Sequence, residues 1–354
     1  MIDWRVARYI AGRVGGEPAG TAIDEGLARE LVLESEERVR GYTLMTGGPR
    51  VPAGEVVSRA EWVHANTLSM GPMLDAAVSG LSERVPTTAG TGRGKVKSPN
   101  LLVAATVTLE AGLVLGVLSR RVLGQYDIPL IPQVVDPEPR LLLVGPNISA
   151  ATASFGSPPE DFLRWVAIHE VTHAVQFASV PWLRGYMGGM AADLLGSLSD
   201  ATPTAKRPLL DVARAAAGRA GRTLSGRDPF ALMLDERQHE LVGRMQAAMS
   251  VIEGHAEHVM DAAGAQAIPS LAQLRASMSV RRQAPNPLWR VVSRLLGMEM
   301  KMRQYEQGRR FCDAVVAASG VDGLNRVWAE PAALPSAGEI ENPGLWLDRQ
   351  KATV

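Results

Sequence analysis

SPPEDFLRWVAIHEVTHAVQFAS, residues 157–179, reads as one helix that carries two histidines and a glutamate in an apolar setting. Ser157 suits the N-cap, a proline follows at the first helical position, and Glu160 stands three residues on. The helix should run to about Ala178 and stop before Pro181. His169 and His173 are four residues apart, so a helix stacks both imidazoles on one face, one turn apart. Such a pair can hold a single tetrahedral zinc ion. Glu170 is offset by about 100° around the helix, which lets it reach past the metal to a water held there.

The surroundings separate this stretch from a chance match. Ala167, Ile168, Val171, Ala174 and Val175 make the helix apolar around the three ionisable groups. Such groups are costly in an apolar setting unless paired or coordinated. The bland alternative is a buried hydrogen-bond cluster of His169, Glu170 and His173 with no metal. A solvated face would show lysines and glutamates here instead.

Zinc needs a further protein ligand and an open position. A third histidine or an aspartate after a glycine would extend the motif downstream, but Gln176 and Ser179 stand at those places. VIEGHAEHVMD, 251–261, offers another source. Glu253 and Glu257 stack one turn apart on a helix. Glu253 is the expected third ligand, with His258 or His255 as alternatives. Glu257 is expected to accept the free N–H of a ligand histidine. His258 could lean in to stabilise an oxyanion. Gly254 costs about 1 kcal/mol in a helix interior, which makes sense where two helices approach closely. The flanks Val251, Ile252, Val259 and Met260 argue against an exposed charged turn.

The rest of the chain points to a mostly α-helical protein with a small β element beside the motif helix. Helical patterns cover 24–40, 59–83 with a break near Gly71-Pro72, 101–123, a segment from Asp228-Pro229 to Gly264, and one from Asn286-Pro287 to about Ala318. Short strands are expected at 128–135 and 140–148, and the second could offer its edge to an extended peptide. Residues 85–100 read as an exposed flexible loop and 330–354 as an irregular tail. We expect one large unit over 1–354, with a helical subregion at 1–84 before that loop and the strands and motif helices in 101–354. The segment 101–119 is greasy, yet Glu110 interrupts it, so a buried core helix fits better than a membrane span.

Composition closes off other classes. The chain of 354 residues is 46% hydrophobic and carries 37 basic against 37 acidic side chains. No net field steers it to nucleic acid or to an anionic membrane. Cys312 is the single cysteine, which excludes an intrachain disulfide and a multi-thiolate zinc site. With no secretory pattern at the N-terminus, a cytoplasmic location is expected. Lys301 and Tyr305 share a helix face; Tyr305 could donate to an oxyanion, although amphipathic packing explains the pair better because no spacing ties them to the zinc motif. Tyr126 and Asp127 suggest a turn, Tyr186 is a remote candidate for function, and Met245, Met249, Met260, Met298, Met300 and Met302 suit core gaps.

His169-Glu170-x-x-His173 with Glu253-x-x-x-Glu257 resembles the gluzincin pattern, with a longer spacer than in thermolysin-like enzymes. VLGQYD (122–127), VGPNI (144–148), HEVTHAVQF, EGHAEHVMD and KMRQYEQGRRF (301–311) widen the likeness. The chain is similar over most of its length to a family of zincin-like metallopeptidases, little-characterised cytoplasmic bacterial proteins. Some of these carry the label of hydrolases associated with deazaflavin-coenzyme biosynthesis, a label of association rather than of chemistry. The resemblance implies one Zn2+ per chain, a peptide or protein substrate, and Glu170 as the base. A hydrolase of a non-peptide amide or other small molecule, or a non-catalytic zinc-binding protein, remains an alternative, and the sequence sets no oligomeric state.

Overall fold

The computed structural model describes residues 2–16, 23–75, 101–131, 137–200, 236–283 and 298–352. The chain is mostly helical with one small sheet. Helices α1 (Trp4–Gly15) and α2 (Glu25–Thr43) come first, then strand β1 (Gly54–Val57) and helix α3 (Arg59–Ser69). Helix α4 (Leu101–Ser119) leads to strands β2 (Gly124–Asp127) and β3 (Arg140–Val144). Helices α5 (Gly145–Phe155), α6 (Pro159–Ser179) and α7 (Pro181–Asp200) follow without long connections. Helices α8 (Glu236–Gly264), α9 (Leu271–Gln283) and α10 (Met298–Asn325) then lead to two short C-terminal helices, α11 (Ala337–Glu341) and α12 (Pro343–Ala352). Both the expected loop at 85–100 and the expected start of a helix at Asp228-Pro229 lie outside the described residues.

The sheet order is β1-β3-β2, with β1 parallel and β2 antiparallel to β3. β3 is therefore central, and both of its edges are taken. This overturns the expectation that it offers an edge to a peptide. Its sequence RLLLV suits a strand covered on both faces. Leu141 and Leu143 join the main core with α2, α6 and α8, while Leu142 and Val144 join a smaller one with Trp62 and Val63 of α3. The alternation of side chains along one strand thus binds two layers together.

Several local expectations change. A strand lies at 124–127 and takes in Tyr126 and Asp127 in place of a turn; of the strand expected at 128–135, residues 128–131 form none and 132–135 lie outside the described residues. Pro158, not Ser157, caps α6, and the Ser157 hydroxyl is buried without a hydrogen-bond partner. The tail is not irregular: Ser336 and Glu339 form a reciprocal capping box, and Trp346 is buried.

α4 is not fully buried. Its contact with α1 is made by glycines: a Cβ on Gly112 would lie 2.8 Å from the Ala7 carbonyl oxygen, and one on Gly116 2.9 Å from that of Ala11. Leu109 and Leu113 remain exposed. Among the described residues no helix is long and apolar enough to cross a membrane.

Candidate metal centre

α6 lies against α2, α8 and β2, and almost every residue from Phe162 to Gln176 is buried. This burial presents the motif to one internal cleft instead of to solvent. His169 and His173 stack their rings 4.8 Å apart at 89°. Across the cleft, Glu253 of α8 brings its Oε2 to 3.7 Å from His169 Nε2 and to 3.7 Å from His173 Nε2. One donor atom from each of the three lies within 4.8 Å of the others.

The donor set fits zinc. Bonds of about 2.0–2.2 Å from nitrogen and carboxylate oxygen put neighbouring donors of a tetrahedral ion roughly 3.3–3.5 Å apart. The His–Glu separations need to close by only a few tenths of an ångström. Without an ion the same three groups must satisfy one another. Burial opposes charge on His173, but the Glu253 carboxylate beside it wins and its pKa is pushed up to about 9.

On its other side α8 packs closely on α10 through two glycines. A Cβ on Gly254 would fall 2.2 Å from the Gly308 carbonyl carbon, and one on Gly308 would fall 1.8 Å from the Ser250 carbonyl oxygen. The helix crossing inferred from the cost of Gly254 is therefore present, with α10 as the partner.

Glu170 is buried on the sheet side of α6, only 7% exposed. Burial raises its pKa most; His169 and His173 pull it back, Glu253 pushes it up, and the Tyr126 backbone N–H stabilises the charged form. Val144 N–H donates to the Leu123 carbonyl, so residues 123, 125 and 127 turn their backbone groups toward β3. Gly124 and Tyr126 turn theirs away from β3, and the Tyr126 N–H meets Glu170. The fit there is tight: a Cβ on Gly124 would lie 2.6 Å from Glu170 Cγ and 2.9 Å from its Oε1.

A cavity of about 390 Å3 opens beside these groups, bounded by β2, its continuation through Ile131, and the donors His169, His173 and Glu253. Met70, Phe177, Met187 and Met249 give it an apolar wall. Met249, expected to fill a core gap, thus lines the cleft, while Met260 is buried in the core.

The other candidates go elsewhere. His258 does not line the cavity; its Nε2 lies 2.7 Å from the Tyr42 hydroxyl and its Nδ1 2.6 Å from Asp313 Oδ1. His255 is sealed edge-on beneath Trp328, and burial, aided by His258 and His173, pushes its pKa down to about 3. Glu257 lies within electrostatic reach of Arg275 on α9. Tyr186 packs on Trp182 and takes a hydrogen bond from Arg244. Tyr305 belongs to α10, but its side chain lies outside the described residues. The acceptor that meets His173 Nδ1 is Gln176 Oε1, at 3.2 Å. Sequence reasoning missed Gln176 and Gly124. Gln176 was findable, because three residues after His173 it shares the ligand face.

Three comparisons bear on the site. A family profile described as zincin-like metallopeptidase matches residues 2–347. Among curated proteins, nothing matches. A crystal structure from Chloroflexus aurantiacus, described as a candidate hydrolase with a novel fold, is 30% identical in sequence. The alignment covers 99% of each chain with a TM-score of 0.69.

Proposed function

The chain belongs to the zincin-like metallopeptidase family, and from that premise we propose that it is a zinc-dependent hydrolase that cuts peptide bonds. The observation that carries the reading is the convergence of His169, His173 and Glu253 from two helices, with a buried Glu170 beside them. His169 and His173 would each give an Nε2 lone pair and Glu253 a carboxylate oxygen. Zinc held there would supply a Lewis acid toward a carbonyl oxygen and a water acidified toward neutral pH. Glu170, with its proton affinity raised by burial, takes the water proton and later delivers it to the leaving amine nitrogen.

The β2 edge favours a peptide over a compact small molecule. Among the described residues only one side of β2 is paired, and Tyr126, Asp127 and the chain on to Ile131 bound the cavity. A substrate in extended form would lie along this rim beyond Glu170, with side chains received by the apolar wall. The edge strand is thus β2, where the sequence suggested β3.

The test combines metal analysis with turnover of a peptide library read by mass spectrometry. Wild type should hold one zinc per chain and cleave peptides. Glu253→Ala should lose the zinc. Glu170→Gln should keep it and lose roughly 10²–10⁴-fold in turnover, the range for general acid–base groups. A wild type that binds no zinc sinks the proposal, and undiminished turnover in Glu170→Gln removes the base.

A further inference from the structure

Gln176 is a neutral amide in a completely buried position, between the two helices that carry the metal donors. A buried amide is costly unless its donors and acceptor are used. Here both ends are used, and each by a different ligand element. Its Oε1 lies 3.2 Å from Nδ1 of His173 on its own helix. Its Nε2 donates, at 3.5 Å, to the carbonyl oxygen of Ile252 on α8, the residue just before Glu253.

This arrangement removes an ambiguity that an imidazole ordinarily has. A neutral histidine carries its proton on either ring nitrogen, and the nitrogen without it is the potential ligand. The amide itself could sit either way round, but the Ile252 carbonyl can only accept, so the NH2 group must face it. The oxygen is then left for His173, and an oxygen can only accept. In the neutral ring that a metal requires, the His173 proton is held at Nδ1, and the Nε2 lone pair is left for the metal beside Glu253. The same contact ties the α8 backbone beside one donor to the ring of another.

We infer that Gln176 is the positioning residue of the metal centre: it fixes the tautomer and orientation of His173 and sets the register of Glu253 against it. The inference rests on the zinc site proposed above. It assigns to a residue of the motif helix the role that the sequence suggested for Glu257.

Zinc titration against a chromophoric chelator tests it on the intact chain, with no substrate needed. Gln176→Met keeps the volume and removes both hydrogen bonds, while Gln176→Glu keeps an acceptor for Nδ1. The Met variant should bind zinc about 10–100-fold more weakly, the usual effect of losing an outer partner. The Glu variant should recover much of that loss. Equal affinities for wild type and the Met variant overturn the inference and leave the zinc site standing. A Glu variant as weak as the Met variant also overturns it, because packing alone would then explain the effect. If the Met variant does not fold, 15N–1H correlation of the histidine rings in zinc-loaded wild type decides. A proton on Nδ1 of His173 supports the inference, and a proton on Nε2 overturns it. A wild type that binds no zinc removes both readings together.

Discussion

Between the β2 backbone and the Glu170 carboxylate there is room for a hydrogen atom and nothing larger. Gly124 supplies it, with a would-be Cβ 2.6 Å from Glu170 Cγ. An alanine there forces a shift of about 1 Å to reach ordinary van der Waals contact, and misplacement of that size can cost on the order of 10²-fold in rate. Gly124→Ala is therefore expected to lower peptide turnover by about that factor while zinc content stays at wild type. Equal losses of zinc and turnover would mean that the strand, not the base, had moved. A second residue sets an acid limit. His255 has an ordinary pKa of 6.5 and is pushed down to about 3 in the fold by burial, then by His258 and His173. The unfolded chain takes up a proton at His255 below 6.5 that the folded chain refuses until about 3. The stability that this neutral ring supports is present above pH 6.5 and is lost as pH falls through that window. The slope is about 1.4 kcal/mol per pH unit for one proton. Denaturant titrations at several pH values should show His255→Leu less acid-sensitive than wild type, and identical slopes would contradict the assignment.

At the scale of elements, the α8–α10 crossing sets where Glu253 stands. Gly308→Ala would press a methyl group into the Ser250 carbonyl, so the helices must part. Overpacking of this kind costs about 1–3 kcal/mol, and zinc affinity should fall because Glu253 follows α8. Gly243, on the same helix, has nothing within 4 Å of its would-be Cβ. Gly243→Ala should stabilise by up to about 1 kcal/mol through helix propensity alone. Thermal melts of the two variants should move in opposite directions; a parallel shift would mean that the crossing is not what limits Gly308. The crossing was legible because Gly254 breaks a local rule on an otherwise helical stretch. So was the motif helix, whose apolar residues surround His169, Glu170 and His173. The sheet was less legible. Its strands run four or five residues, too short for periodicity to fix their ends, and β3 is apolar throughout because both faces are covered. The tail was misread because Pro331, Pro335 and Pro343 outweighed the Ser336–Glu339 capping signal. Gln176 was passed over because its role depends on the Ile252 carbonyl, a contact that spans 76 positions in the chain.

Over the whole molecule, the sheet separates a layer around α1, α3 and α4 from a larger core of α2, α6, α8 and α10. The donor atoms belong to the larger core, on helices far apart in sequence. α2 touches both of these helices, and Tyr42 on α2 reaches His258 on α8, which in turn meets Asp313 on α10. The chain of contacts fastens α8 from behind while Glu253 faces the cleft in front. A metal shared by α6 and α8 would add a cross-link of the same kind, present in the folded state and absent from the unfolded one. At free zinc 1,000 times its dissociation constant, such binding stabilises by about 4 kcal/mol. With an unfolding entropy of about 2.1 cal/mol/K per residue, that amounts to roughly 5 °C for a chain of 354 residues. Calorimetry of the chelator-treated protein with and without added zinc should therefore show a rise of that order in wild type and in Glu170→Gln, which keeps all three donors. Glu253→Ala should show little or none. A shift of the same size in Glu253→Ala would place the stabilising metal elsewhere, and the helix pair would then owe its spacing to protein contacts alone.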